Sequence, residues 1–117
     1  MIDKLKIPQE IATKLTHLSA KTGLPWNILC RAAFCLSIRE TDAPPVVTEI
    51  IPIKEISGHV FMGEYRLFIQ ALYIFKCKNW KKSQTNDTLF FHSIVFRGVE
   101  LISTRIKLIS NFVKYEG

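Results

Sequence analysis

A mainly α-helical single domain, opened by a short strand, is the fold class this sequence predicts, and three observations predict it. Apolar residues recur at three- and four-residue spacing along successive stretches of the chain. Proline and glycine stand where helices start and stop. Lys4-Leu5-Lys6-Ile7 alternates with a period of two ahead of the first helical run, so an extended backbone puts both lysines on one face and both apolar residues on the other.

From Gln9, Ile11, Leu15 and Leu18 fall on one face of a helix, and Pro8 suits its start because the missing N–H is not needed there. Lys14 and Lys21 lie toward solvent. Gly23 can take the left-handed conformation that closes this helix, and Pro25 opens a second one. In that second run Ile28, Leu29, Ala32, Ala33 and Leu36 repeat at helical spacing, and Phe34, Cys35 and Ile38 widen the stripe. A helix this apolar needs cover on most sides, from the later chain or from another subunit.

Residues 41–63 read as a linker between the opening unit of residues 1–40 and a helical part over residues 64–117. Pro44 and Pro45 stop a helix, Val46, Val47, Thr48, Ile50 and Ile51 favour extended backbone with room for a short edge strand, and residues 53–63 allow a further extended or turn segment with Gly58 and Gly63 as flexible points. A third helix is predicted over 64–78 with Leu67, Phe68, Ala71, Leu72 and Phe75 as its main buried face. The last run carries Phe91, Val95, Val99, Ile102, Ile106, Ile109 and Val113 at helical spacing, long enough for two helices broken or bent at Gly98, with Asn86 or Asp87 as cap.

Nearly half the residues are hydrophobic, which excludes a disordered tail and permits a real core. Sixteen Lys or Arg against ten Asp or Glu leave a net charge of +6, which favours a polyanionic partner, nucleic acid ahead of a membrane surface. The longest strongly apolar run, residues 67–75, contains Gln70 and is far short of the ~20 residues that span a bilayer. With three cysteines, an odd count, and no apolar signal segment after Met1, the expected location is the cytoplasm.

Catalytic and metal-binding patterns are not apparent. Cys30 and Cys35 are turned roughly 140° from each other on an ideal helix, so they make no local ligand pair. Cys77 lies between two lysines without a base or resolving thiol nearby in sequence. His17, His59 and His92 are dispersed, and Gly58 and Gly63 lack the lysine that follows a phosphate loop. The reading is a non-enzymatic protein without cofactor or metal.

Two lysine clusters remain as candidate DNA contacts. Lys76, Lys78, Trp80, Lys81 and Lys82 combine phosphate-seeking charge with a ring able to stack on an unpaired base, against the plainer alternative of a solvated helix end. Lys4, Lys6, Lys14 and Lys21 form the second.

The opening strand, helix, Thr22-Gly23 turn and helix resemble a ribbon-helix-helix unit, in which strands of two subunits pair and present side chains, here Lys4 and Lys6, to a DNA groove. Over nearly its full length the chain is more similar to the DndE family of bacterial DNA phosphorothioation (sulfur modification) systems. The residues that carry this resemblance are Lys21-Thr22-Gly23-Leu24, Asn27-Ile28-Leu29-Cys30-Arg31, Gly63-Glu64-Tyr65 and His92-Ser93-Ile94-Val95-Phe96-Arg97-Gly98. The resemblance implies a mostly helical tetramer that binds double-stranded DNA with a preference for nicks, in a system whose other proteins carry the sulfur chemistry. The alternatives are a dimeric ribbon-helix-helix regulator of an intact operator, and an assembly protein whose charge is incidental.

Overall fold

The computed structural model describes residues 2–80 and 86–116, with side chains up to residue 107. Strand β1 (Lys4–Pro8) alternates as the sequence predicts: Leu5 and Ile7 are fully buried, while Lys4 and Lys6 face solvent. Helix α1 (Gln9–Thr22) buries Ile11, Ala12, Leu15 and Leu18. Gly23 closes it at φ 74°, where its N–H donates to the Ser19 carbonyl, and α2 (Trp26–Ser37) starts directly after Pro25.

The expected linker holds more structure than its composition suggested. Strand β2 (Pro52–Ser57), the single-turn helix α3 (Gly58–Met62) and a 3-10 turn (Gly63–Tyr65) lie within or beside it. β2 pairs antiparallel with β1, setting Leu5 opposite Ile56 and Lys6 opposite Glu55. The stretch between α2 and β2 is fastened to the core: Pro44 is buried, Val47 and Ile50 pack on it, and the Val47 N–H donates to Ser93 Oγ. A polar serine in the middle of an apolar helix is thus the anchor for a segment that offers few side chains of its own.

The strand and helical hairpin follow the ribbon-helix-helix resemblance, but the strand that pairs with β1 differs from what that resemblance implies. The ribbon is made within one chain, and the other side of β1 is held by α5 (Asp87–Glu116), where the buried His92 Nε2 accepts from the Lys6 N–H at 2.9 Å. A strand from a second subunit was what the resemblance implied; β2, about fifty residues away and without clean alternation, carried no signal as the mate of β1.

α5 runs as one helix through Gly98, so of the break or bend expected there the break does not occur. It packs along α2 as the most extensive helix pair, and the glycine marks the crossing: a Cβ there would overlap the Ala33 carbonyl and come within 2.7 Å of Ala33 Cα. The chain spends helix propensity to let two backbones approach. Around this crossing Phe34 stacks on Phe91 with centroids 5.2 Å apart, and Phe61 and Tyr73 meet the same Phe91 ring edge-on.

α4 (Arg66–Asn79) is rotated from its predicted orientation. Ile69 and Tyr73 are the buried pair, and Tyr73 donates to Asp87 Oδ1 at 2.9 Å. Leu67, Phe68 and Phe75, expected in the core, are 80%, 59% and 63% exposed. So apolar a helix has no polar face to mark which side turns outward, and the tyrosine hydroxyl decides, because it needs a hydrogen-bond partner when buried.

His92 makes the fold pH-sensitive. Its Nδ1 lies 2.7 Å from the Thr88 carbonyl and its Nε2 accepts from β1, an arrangement that requires the neutral ring with its proton on Nδ1. Burial, foremost, and the Lys6 charge lower its pKa from the ordinary 6.5, against the Thr88 carbonyl, which raises it. The unfolded chain therefore takes up the proton first on acidification, so this stabilisation is complete above the ordinary histidine pKa and declines below it. Thermal melts between about pH 7 and 5 should show a falling Tm that flattens in His92→Gln. Parallel slopes in the two proteins would refute the assignment.

Candidate nucleic-acid interface

Lys14, His17 and Lys21 follow one another at spacings of three and four along the outer face of α1, and Glu100, Ser103, Thr104 and Lys107 do the same on α5. These rows face each other across a groove of about 490 Å³, with Leu18 and Ile106 among its lining residues. Three lysines, an imidazole and two hydroxyls line it with a single carboxylate. Lys14 Nζ meets that carboxylate, Glu100 Oε1, at 2.8 Å. An exposed pair of this kind is worth about 0–1 kcal/mol, so a phosphate can replace Glu100 at small cost. Lys21 and Lys107 form no ion pair among the described residues.

The structure thus brings Lys14 and Lys21 together and adds Lys107, His17, Ser103 and Thr104, which sequence reading left out of the site. The signal for them was available only in combination: each row is a helical repeat, but nothing in one chain says that α1 and the middle of α5 are neighbours. Lys4 and Lys6 lie elsewhere, on the outer face of the β1–β2 ribbon, where Lys4 Nζ stands 3.6 Å from Glu55 Oε2.

The other predicted cluster is tied into the fold. Lys76 Nζ donates to the Glu40 carbonyl at 3.0 Å, and Trp80 Nε1 donates to the Thr41 carbonyl at 3.0 Å. The Trp80 ring packs edge-on against Phe90 and carries two cations, Lys76 Nζ at 5.1 Å and Arg97 Cζ at 5.4 Å from its centroid. Stacking on a base would have to displace one of those cations. Lys78 is exposed, and Lys81 and Lys82 lie outside the described residues.

Arg97 is the strut of this corner. Its guanidinium donates to Ser37 Oγ, the Ser37 carbonyl and the Asp42 carbonyl, and so satisfies the end of α2. Burial lowers its pKa, and the charges of Glu40 and Asp42 oppose that shift.

Elsewhere the chemistry is quiet. Burial pushes the Cys30 thiol up to about 12 and raises that of Cys35, the reverse of what a nucleophile needs. Among the described residues no group of three His, Cys, Asp or Glu is placed to hold a metal ion, and no helix is long and apolar enough to cross a membrane.

The fold has a counterpart of known structure: the crystal structure of DndE from Escherichia coli B7A, described as involved in DNA phosphorothioation modification, superposes with a TM-score of 0.68 at 14% identity, covering 87% of this chain and 97% of that one. No curated protein sequence matches the chain. The family model of "DNA sulphur modification protein DndE" matches residues 4–110, nearly the whole length, and the chain therefore belongs to the DndE family.

Proposed function

We propose that this protein is a non-enzymatic, DNA-binding subunit of a cytoplasmic DNA phosphorothioation system, acting beside the other proteins of that system and binding double-stranded DNA with a preference for nicks. The observation that carries the reading is the groove between α1 and α5, where lysines from distant parts of a DndE-family chain converge with hydroxyl groups. Contacts from lysines and hydroxyls to phosphate and sugar carry no direct base information, so a groove of this kind supports recognition of backbone shape. A nick supports that mode, because a broken strand lets the duplex bend toward a protein at lower elastic cost. Lys4, Lys6, Lys76 and Lys78 supply further positive charge outside the groove, Lys81 and Lys82 add to the net charge of the chain, and Trp80 braces the end of α4.

The working form is a homo-oligomer, a tetramer. Support comes from the outer face of α4, where exposed Leu67, Phe68, Ile74 and Phe75 adjoin an apolar groove of about 410 Å³ against Ile28, Ala32 and Cys35 of α2. A patch of large apolar side chains in one place marks an interaction surface. Joining copies also multiplies the phosphates contacted per particle, which raises overall affinity without a stronger single site.

Gel shifts of intact, nicked and gapped duplexes of one sequence test the proposal. Retardation of the nicked duplex at lower protein concentration than the intact one, whatever the sequence, is expected. Absence of any shift at physiological salt would leave an assembly role instead, and tight binding confined to one intact sequence would favour an operator-binding regulator.

A further inference from the structure

On the opposite flank of α5 from the lysine groove, a smaller one of about 200 Å³ is lined by Leu36, Arg39, Glu40 and Arg105. Arg105 and Lys107 are turned roughly 200° from each other around an ideal helix, which is how one helix serves both grooves. The fold places Arg39 on this flank through the turn that ends α2, where Arg39 N–H reaches the Leu36 carbonyl and Glu40 N–H the Ser37 carbonyl. Two guanidinium groups distant in sequence therefore share one small concavity.

Their charges are only partly compensated within the fold. Neither Arg39 nor Arg105 has a carboxylate within ion-pair distance among the described residues; the pairs there are Lys4 with Glu55 and Lys14 with Glu100. Glu40 is the acidic group of the groove, and its charge also acts on Arg97, while its carbonyl is held by Lys76. At this corner Arg39, Arg97, Arg105 and Lys76 stand against Glu40 and Asp42, and within the groove itself two guanidinium groups face one carboxylate, so positive charge is in excess there. Like charges brought together without a partner repel, and an anion between them relieves that repulsion.

We propose that the Arg39–Arg105 groove is a phosphate site that takes one phosphodiester of a nucleic-acid backbone, separate from the lysine groove. The chemistry favours arginine for this: a planar fork donates two parallel N–H bonds to two oxygens of one phosphate, a geometry that an ammonium cannot offer. The groove leaves room for a phosphate with part of its hydration shell. With a phosphate on each flank, the exposed ridge of α5 is straddled by DNA backbone. The proposal rests on the DNA-binding reading for its ligand, although the anion site itself does not.

The test titrates a labelled nicked duplex with wild-type protein and with the Arg39→Gln/Arg105→Gln variant, whose substitutions are on the surface and leave the core intact. One lost phosphate contact should weaken binding about eightfold at 0.1 M salt and reduce the slope of log K against log salt by about 0.9. Arg39→Lys/Arg105→Lys should recover the slope but only part of the affinity, because charge returns and the fork does not. Unchanged affinity and slope in the glutamine variant would overturn the proposal. A second arm follows the arginine Nε–H signals by NMR during titration with inorganic phosphate. If wild-type protein binds no duplex yet the Arg39 and Arg105 signals shift saturably, the DNA reading fails while the anion site stands for free phosphate. If neither duplex nor phosphate has an effect, both are wrong.

Discussion

Gly98→Ala is expected to destabilise the protein by about 3 kcal/mol, and Gly98→Val to prevent folding. The sign is the informative part. Glycine inside a helix costs about 1 kcal/mol relative to alanine, so on propensity alone the substitution would stabilise α5. Here the added Cβ meets the Ala33 backbone of α2, a rigid neighbour that can move only if the two helices separate. Separation would loosen Phe34, Phe91 and the fully buried Val95 and Val99 together, since closely packed interiors absorb displacement poorly. Thermal unfolding followed by circular dichroism should show Tm falling by roughly 15 °C for the alanine variant. An unchanged or raised Tm would mean that the helices do not cross at this point.

Leu67→Glu/Phe68→Glu is expected to convert the proposed oligomer to monomer while leaving the fold intact. Both side chains are more than half exposed in one chain, so a carboxylate at either position costs the isolated subunit little. In an interface the same two charges would be desolvated without partners, a cost of several kcal/mol for each pair of copies brought together. Light scattering after gel filtration reads the result directly: a tetramer mass for the wild type, about 13.5 kDa for the variant, and superimposable circular dichroism spectra. Equal masses would place the contacts between copies on another surface.

The parts of the fold that sequence made legible are those set by local rules. Pro8, Gly23 and Pro25 bound α1 and α2 because their constraints act within a residue or two, and the alternation in β1 survives because one face of the strand is buried. The orientation of α4 was not legible. Apolar side chains surround it, so periodicity offers no contrast, and the outcome depends on a tertiary bond from Tyr73 to Asp87. Gly98 was misread for a related reason: a glycine in a helical pattern signals either a break or a close contact, and only the position of Ala33 distinguishes them.

The site divides in the same way. Lys14 and Lys21 were identified from charge and exposed spacing, but the groove they share with Lys107, Ser103 and Thr104 depends on the packing of α1 against α5. Lys76 and Trp80 were singled out by composition, and the structure gives both of them backbone carbonyl partners. Arg39 and Arg105 carried no local signal: Arg39 stands beside Glu40, Arg105 is one of several charges dispersed along its helix, and only the fold brings the two together.

The salt dependence of duplex binding tests the DNA-binding account most directly, measured for wild-type protein and for Lys21→Glu/Lys107→Glu on one nicked duplex. Phosphate contacts release counterions, so wild-type log K should fall steeply with log salt, by about 0.9 for each phosphate neutralised. The variant, folded and with the same oligomeric mass, should bind at least tenfold more weakly and lose about two units of slope per chain engaged. Coincident titrations of the two proteins would contradict the assignment of the groove between α1 and α5 to DNA.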